Sequence, residues 1–169
     1  MKIRTIRTSD TEPFFQMMCR LDEETDYMMY EPGERERTSP GLDLLRGNIE
    51  RAVSGGDLLL VAETDSGEIA GYIWANRGTL NRTQHMAYIV TGIRQAYRSQ
   101  GIGSAFFERL MQWAGENGVR RLELSVVCGN SIAVHLYEKF GFAVEGVRRQ
   151  VMKINGEYAD EYYMGKILE

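Results

Sequence analysis

The chain of 169 residues has little of what builds metal centres or disulfide frameworks: two cysteines, Cys19 and Cys128, and two histidines, His85 and His135. Neither cysteine belongs to a CxxC pair, and the four side chains show no metal-ligand spacing. A metal is therefore not expected, and both thiols are expected to be reduced. No apolar run approaches the roughly 18 residues of a membrane span, and the opening MKIRTIRTSD lacks the apolar stretch of a secretory leader. These absences point to a cytoplasmic chain without a membrane partner. An excess of basic residues is missing too: 20 Lys and Arg stand against 24 Asp and Glu, a net charge of −4, which argues against nucleic acid as the main partner. Repeats, low-complexity tracts and linkers are absent, so residues 1–169 are expected to form one domain, large enough to bury roughly 70% of its unfolded surface.

What is present is periodic. KIRTIR (2–7) alternates as a short strand, and Asp10 or Thr11 can cap a helix carrying Phe14, Phe15, Met18 and Leu21. A loop is expected over 27–38, then a helix at about 39–53 with Leu42, Leu45, Ile49 and Val53 as its apolar stripe. Strands follow at 58–64 and 68–77, joined through Asp65-Ser66-Gly67, and at 82–93, where His85, Ala87, Ile89, Thr91 and Ile93 share a face. Ile102, Phe106, Leu110 and Trp113 mark an amphipathic helix that stops near Asn117-Gly118. RLELSVV (121–127) is a strand. Asn130 caps a helix with Ile132, Leu136 and Phe140 on one stripe, ended by Gly141. Strands at 142–151 and 157–168 flank the hairpin signal Asn155-Gly156. The order is β-α-α-β-β-β-α-β-α-β-β, an α/β mixture with a sheet that begins antiparallel.

Charge is unevenly spread. Asp22, Glu23, Glu24, Asp26 and Glu31 crowd one N-terminal region, and Arg94, Arg98, Arg120 and Arg121 lie around and beyond a glycine loop, YRSQGIGS (97–104). Both groups read either as solvated surface or as the seats of a cationic and an anionic ligand. In the loop a strand gives way to a helix opening at Gly101. Backbone N–H groups without intrahelical partners gather there, the helix dipole is positive, and the glycines let an anion reach the main chain. Arg98 adds a charged donor fork suited to phosphate. A Walker loop needs Gly-Lys-Ser/Thr, but Gly103-Ser104-Ala105 has no lysine. A dinucleotide GxGxxG would put Phe106 where a small residue belongs.

The pattern R-x-x-G-x-G, here Arg98-Ser99-Gln100-Gly101-Ile102-Gly103, resembles the coenzyme A loop of the GCN5-related N-acetyltransferase (GNAT) superfamily. About thirty residues on, NSIAVHLYEKFGF (130–142) resembles the second signature of that superfamily, with Asn130, Ala133, Leu136, Tyr137 and Gly141-Phe142 in register. The resemblance covers roughly 58–168. It implies a GNAT fold, with a mixed, mostly antiparallel twisted sheet of about seven strands flanked by about four helices. It also implies acetyl-coenzyme A as co-substrate, its diphosphate on Arg98, Ser99, Gln100, Gly101, Ile102, Gly103 and Ser104. The pantetheine arm would then lie along the splayed end of the third long strand, near Thr91 and Ile93, with Asn130 and Ala133 against the ligand.

By the same resemblance, Tyr137 donates to the sulfur as an amine attacks the thioester directly in a ternary complex. The attacking amine must first lose a proton, and His85, Glu31 and Glu23 are all candidate bases. Cys128 follows a strand near the expected thioester, but no His/Asp partner supports an acyl-cysteine, and a small packed residue is the better reading. The acceptor is expected to be a primary amine: a small amine, polyamine, amino acid or protein N-terminus. The acidic N-terminal region points first to a cationic one, with Tyr158, Asp160, Tyr162 and Tyr163 as candidate pocket edges. A non-catalytic acyl-coenzyme A sensor on the same fold is the alternative reading. The resemblance also allows a homodimer through the C-terminal strands.

Overall fold

The computed structural model describes residues 1–38 and 41–169. In chain order the elements are β1 (Lys2–Thr5), α1 (Thr11–Glu24), α2 (Glu34–Thr38), α3 (Leu42–Val53), β2 (Leu58–Glu63), β3 (Ile69–Arg77), β4 (Met86–Ile93), α4 (Ile102–Glu116), β5 (Arg121–Val127), α5 (Ser131–Lys139), β6 (Ala143–Ile154) and β7 (Glu157–Ile167). The strands form one seven-stranded sheet in the order β1-β2-β3-β4-β5-β7-β6. Every neighbouring pair is antiparallel except β4 and β5.

Alternation along the central strands builds two cores. Leu60, Ala62, Ile73 and Ala75 join Ile89, Leu122 and Leu124 on the face covered by α4 and α5. Leu59, Val61 and Tyr72 point the other way and pack with Phe14, Met17, Leu21 and Ile49 of α1 and α3. Because side chains alternate with period two, each strand serves both layers. Fully burying one large apolar side chain contributes about 1.5–3 kcal/mol, so α4, which buries Phe106, Phe107 and Leu110 completely, is held by its inner stripe more than by intrinsic propensity.

The structure departs from the sequence expectations at several ends. The segment 27–38, expected as a loop, contains the short helix α2. Ser39 and Pro40, where the next helix was expected to start, lie outside the described residues; α3 begins at Leu42. Its buried stripe is Ile49 and Ala52, with Leu45 partly buried against the same core, whereas Leu42 and Val53 are 37% and 48% exposed because they fall off that side of the helix. The strand expected from 82 starts at Met86, since residues 81–85 turn. At the sheet's outer edge, β6 pairs with β7 in a register that shifts between Val144 and Gly146 and again between Arg148 and Met152, with Gln150 at φ 53°.

Candidate active site

The two parallel strands part company early. β4 and β5 are in register only at Met86–Arg121, Ala87–Leu122 and Tyr88–Glu123. Beyond Tyr88 the pairing ends, and among the described residues β4 has no strand partner on that side, leaving its main-chain groups over Ile89–Ile93 facing a gap. One side-chain bridge crosses the opening, a 2.8 Å hydrogen bond between the hydroxyls of Tyr88 and Ser125. Thr91 and Ile93 both lie on the unpaired stretch. The Thr91 hydroxyl is taken, donating to the carbonyl of Tyr72 at 2.7 Å, so only its main chain is open to the gap.

The glycine loop follows directly. Arg98 donates through Nε to the carbonyl of Ile93 at 3.0 Å, tying the loop back to the strand end. Ser99 and Gly101 both have positive φ, 60° and 81°, and Gly101 is the residue on which α4 opens. The first return bond of the helix runs from the N–H of Ala105 to the carbonyl of Gly101 at 3.0 Å. The N–H groups of Ile102, Gly103 and Ser104 are thus unclaimed by the helix. Ile102 buries its side chain, leaving only its main chain to a ligand. Gly103 sits against α5, where a Cβ would stand 2.9 Å from Leu136 Cδ2. Gln100 is folded onto its own loop, donating to the carbonyl of Ala96 at 3.2 Å.

Of the four arginines associated with the loop by sequence, Arg98 alone stays available there. Arg94 is committed to Glu24 and Glu68, and Glu24 also accepts the N–H of Gln95 at 2.7 Å. Burial works against the Glu24 carboxylate, but the Gln95 N–H and the Arg94 guanidinium hold it below the ordinary carboxylate range. Arg120 and Arg121 lie at the start of β5, the opposite end of the sheet from the loop, and Arg121 is engaged by Glu123 and Glu145. A cation the sequence reading missed stands closer. Lys139, at the end of α5, donates to the Ser104 hydroxyl at 3.0 Å and has no carboxylate partner among the described residues.

On α5, Asn130 caps the helix by accepting the N–H of Ala133 at 3.3 Å, leaving its amide NH2 free of that bond. The expected stripe is displaced. Ile132 is 83% exposed, whereas Tyr137 is 8% exposed and packs on Phe107 with ring centroids 5.4 Å apart. Tyr137 is therefore both a core side chain and a member of the face that carries Asn130 and Ala133. Its hydroxyl has no hydrogen-bond partner among the described residues, yet it keeps some access to solvent, because the one sealed and unpaired side-chain polar atom there is Arg4 Nε. Burial, with Tyr72 and Tyr88 nearby, keeps its proton bound well above the ordinary phenol range.

A cavity of about 310 Å³ opens between the α1–α2 connection and the β6–β7 turn, lined by Asp26, Met28, Tyr30, Glu31, Met152 and Asn155 among others. Asn155 donates to Asp26 at 3.2 Å across it. Tyr158, Asp160, Tyr162 and Tyr163, expected at the pocket edge, do not line it: Tyr162 packs against the α4–α5 core, Asp160 accepts the N–H of Gln150, and Tyr158 is 67% exposed. The acidic region is also less open than its composition suggests, since Asp22 is buried against Arg35 at 2.6 Å. Among the candidate bases, Glu31 lines the cavity, while Glu23 is simply exposed on α1. His85 precedes the far end of β4, roughly 20 Å from Thr91 at strand rise, so the fold does not bring it to that stretch of the strand. No group of three or more His, Cys, Asp or Glu side chains suited to a metal occurs among the described residues, and no helix there is long and apolar enough to cross a membrane.

Comparison with known proteins bears on the fold and the family. An acetyltransferase of the GNAT family from Streptococcus pneumoniae superposes with a TM-score of 0.91 at 28% identity, covering 99% of both chains. A GNAT superfamily phosphinothricin acetyltransferase from Sinorhizobium meliloti, solved with acetyl-coenzyme A, shares the fold with a TM-score of 0.84 at 17% identity over 99% of this chain and 88% of that one. In sequence, the L-amino acid N-acetyltransferase AaaT of Escherichia coli is 31% identical over 110 residues, 64% of this chain and 67% of the relative. In AaaT and three further curated relatives the matched segment covers 54% to 68% of the relative's own length. Residues 15–142 match the profile of the acetyltransferase (GNAT) family, well over half of the sequence, and the chain belongs to that family.

Proposed function

We propose that residues 1–169 act as one domain that moves an acetyl group from acetyl-coenzyme A to a primary amine by direct attack within a ternary complex. In this reading the unclaimed N–H groups at the mouth of α4, with Arg98, Ser99, Gln100, Gly101 and Gly103, hold the diphosphate, and Ser104 stands beside it with Lys139. The pantetheine amides take the place of the missing strand beside Thr91 and Ile93, while Asn130 and small Ala133 border the arm from α5. The acceptor enters from the cavity beside Met28 and Tyr30. Its mixed lining, apolar side chains with Asp26 and Glu31, suits an amine carried on a partly apolar body such as an amino acid or an N-terminal residue.

The observation that carries this reading is the gap between β4 and β5 together with the phenol of Tyr137 on the adjoining helix, which has no hydrogen-bond partner among the described residues. As the amine nitrogen bonds to the thioester carbon, negative charge gathers on the oxygen, where main-chain N–H groups of β4 can meet it. Collapse breaks the carbon–sulfur bond, and Tyr137 donates to the departing sulfur. The proton that ends on the thiol is balanced by the one the amine loses on becoming an amide. Spermidine, amino acids and short peptides incubated with acetyl-coenzyme A, with products read by mass spectrometry, test the reaction. Tyr137→Phe is expected to retain coenzyme affinity and to lower kcat about ten-fold or more. Coenzyme binding by the wild type with no acetylated product would favour a sensor instead.

A further inference from the structure

Tyr72 lies in the middle of β3, opposite Val61 of β2 and Gly92 of β4, and is 3% exposed. Phe14 holds its ring edge-on, with centroids 5.1 Å apart at 83°. On the other side the ring leans over Gly92, where a Cβ would stand 3.3 Å from Tyr72 Cε1 and 2.8 Å from Leu21 Cδ1. The missing side chain at position 92 thus lets Tyr72 reach across β4, the strand that borders the gap. Its hydroxyl has no hydrogen-bond partner among the described residues and is not sealed from solvent. Buried phenols ordinarily find a partner, and this one, reachable at its oxygen, can take it from a bound molecule. The same Cβ position would stand 3.7 Å from Cε of Met28, which lines the acceptor cavity, so the ring and that cavity meet at Gly92; the Arg35–Asp22 pair also bears on the phenol electrostatically. Arg35 in turn stacks under Tyr30, a wall of the acceptor cavity, with its guanidinium carbon 4.3 Å from the ring centroid.

We propose that Tyr72 is an acceptor-binding residue whose hydroxyl takes a hydrogen bond from the acceptor's amino group and sets that nitrogen before the thioester carbonyl. The inference rests on the transferase reading above. A neutral oxygen suits the task better than a carboxylate, because a carboxylate would favour the ammonium form and oppose the proton loss that attack requires. Burial pushes the Tyr72 phenol up to about 12, so it stays neutral at working pH.

The test is Tyr72→Phe, which removes one oxygen and keeps the ring packed on Phe14 and over Gly92. The probes are acetyl-coenzyme A with spermidine, L-methionine, L-leucine and a tetrapeptide with a free N-terminal methionine. For whichever probe the wild type acetylates, KM for that acceptor is expected to rise about ten-fold, with coenzyme affinity unchanged within two-fold and the thermal midpoint held or raised. Gly92→Ala, which crowds the same ring, is expected to raise the same KM. An unaltered acceptor KM in Tyr72→Phe overturns the inference and leaves the transferase standing. A lowered midpoint or lost coenzyme binding would show the oxygen to be structural and overturn it as well. No product from the wild type with any probe would remove the transferase reading, and this inference with it.

Discussion

Burial governs what the Tyr137 phenol can do. Held well above the ordinary phenol range near 10, it remains neutral from pH 6 to 9, so its donor role imposes no alkaline loss over that window. The expected kcat of the wild type does not fall between pH 7 and 9 on its account. An alkaline fall that vanishes in Tyr137→Phe would show the phenol titrating there and contradict the assignment. At Arg98 the expected effect lies in binding: Arg98→Ala should weaken coenzyme affinity measured by calorimetry while leaving the thermal midpoint nearly unchanged, because this exposed side chain makes one hydrogen bond among the described residues, to the carbonyl of Ile93 at the end of β4. Tyr137 was legible in the sequence because a local motif surrounds it. Tyr72 was not, since its meaning depends on Gly92, twenty positions away and brought opposite only by strand register.

Between elements, the same contacts that build the fold aim the site. Gly101 has open space where a Cβ would go, so its requirement is conformational: at φ 81° a side chain costs about 1–2 kcal/mol, and Gly101→Ala should lower the thermal midpoint by a few degrees. Gly103 is different. A side chain there would press on Leu136, the residue before Tyr137, so Gly103→Val should reduce both coenzyme affinity and kcat. Glu24 joins the end of α1 to the start of the glycine loop through Arg94 and Gln95. Because its folded carboxylate is held below the ordinary range, the stability it adds is present above the unfolded value near 4.3 and is lost as pH falls below it. Glu24→Gln should therefore lower the midpoint at pH 7, and the difference from wild type should shrink towards pH 3. Strand β5 and the caps of α4 and α5 matched the sequence reading because local periodicity and glycine placement specify them. The stripes of α3 and α5 did not, since which side of an amphipathic helix is covered depends on neighbours far along the chain. On α5 the ring of Phe107 selects Tyr137 as the inward residue, and Ile132 is left outside.

Across the molecule, the sheet separates two apolar layers. Phe107 gathers Tyr137, Phe140 and Phe142 around one ring, at centroid distances of 5.3 to 5.8 Å. Phe107→Ala is expected to destabilise by about 3–5 kcal/mol, read by chemical denaturation. The sheet's other boundary has a consequence for how copies of the chain behave when crowded. A twelve-residue margin with unmet amide groups would ordinarily invite strand after strand to add on, as in a growing fibril. The two register breaks in β6 and the left-handed turn of Gln150 divide that margin into lengths too short to template such growth, so the chain can remain dispersed while its longest strand lies uncovered.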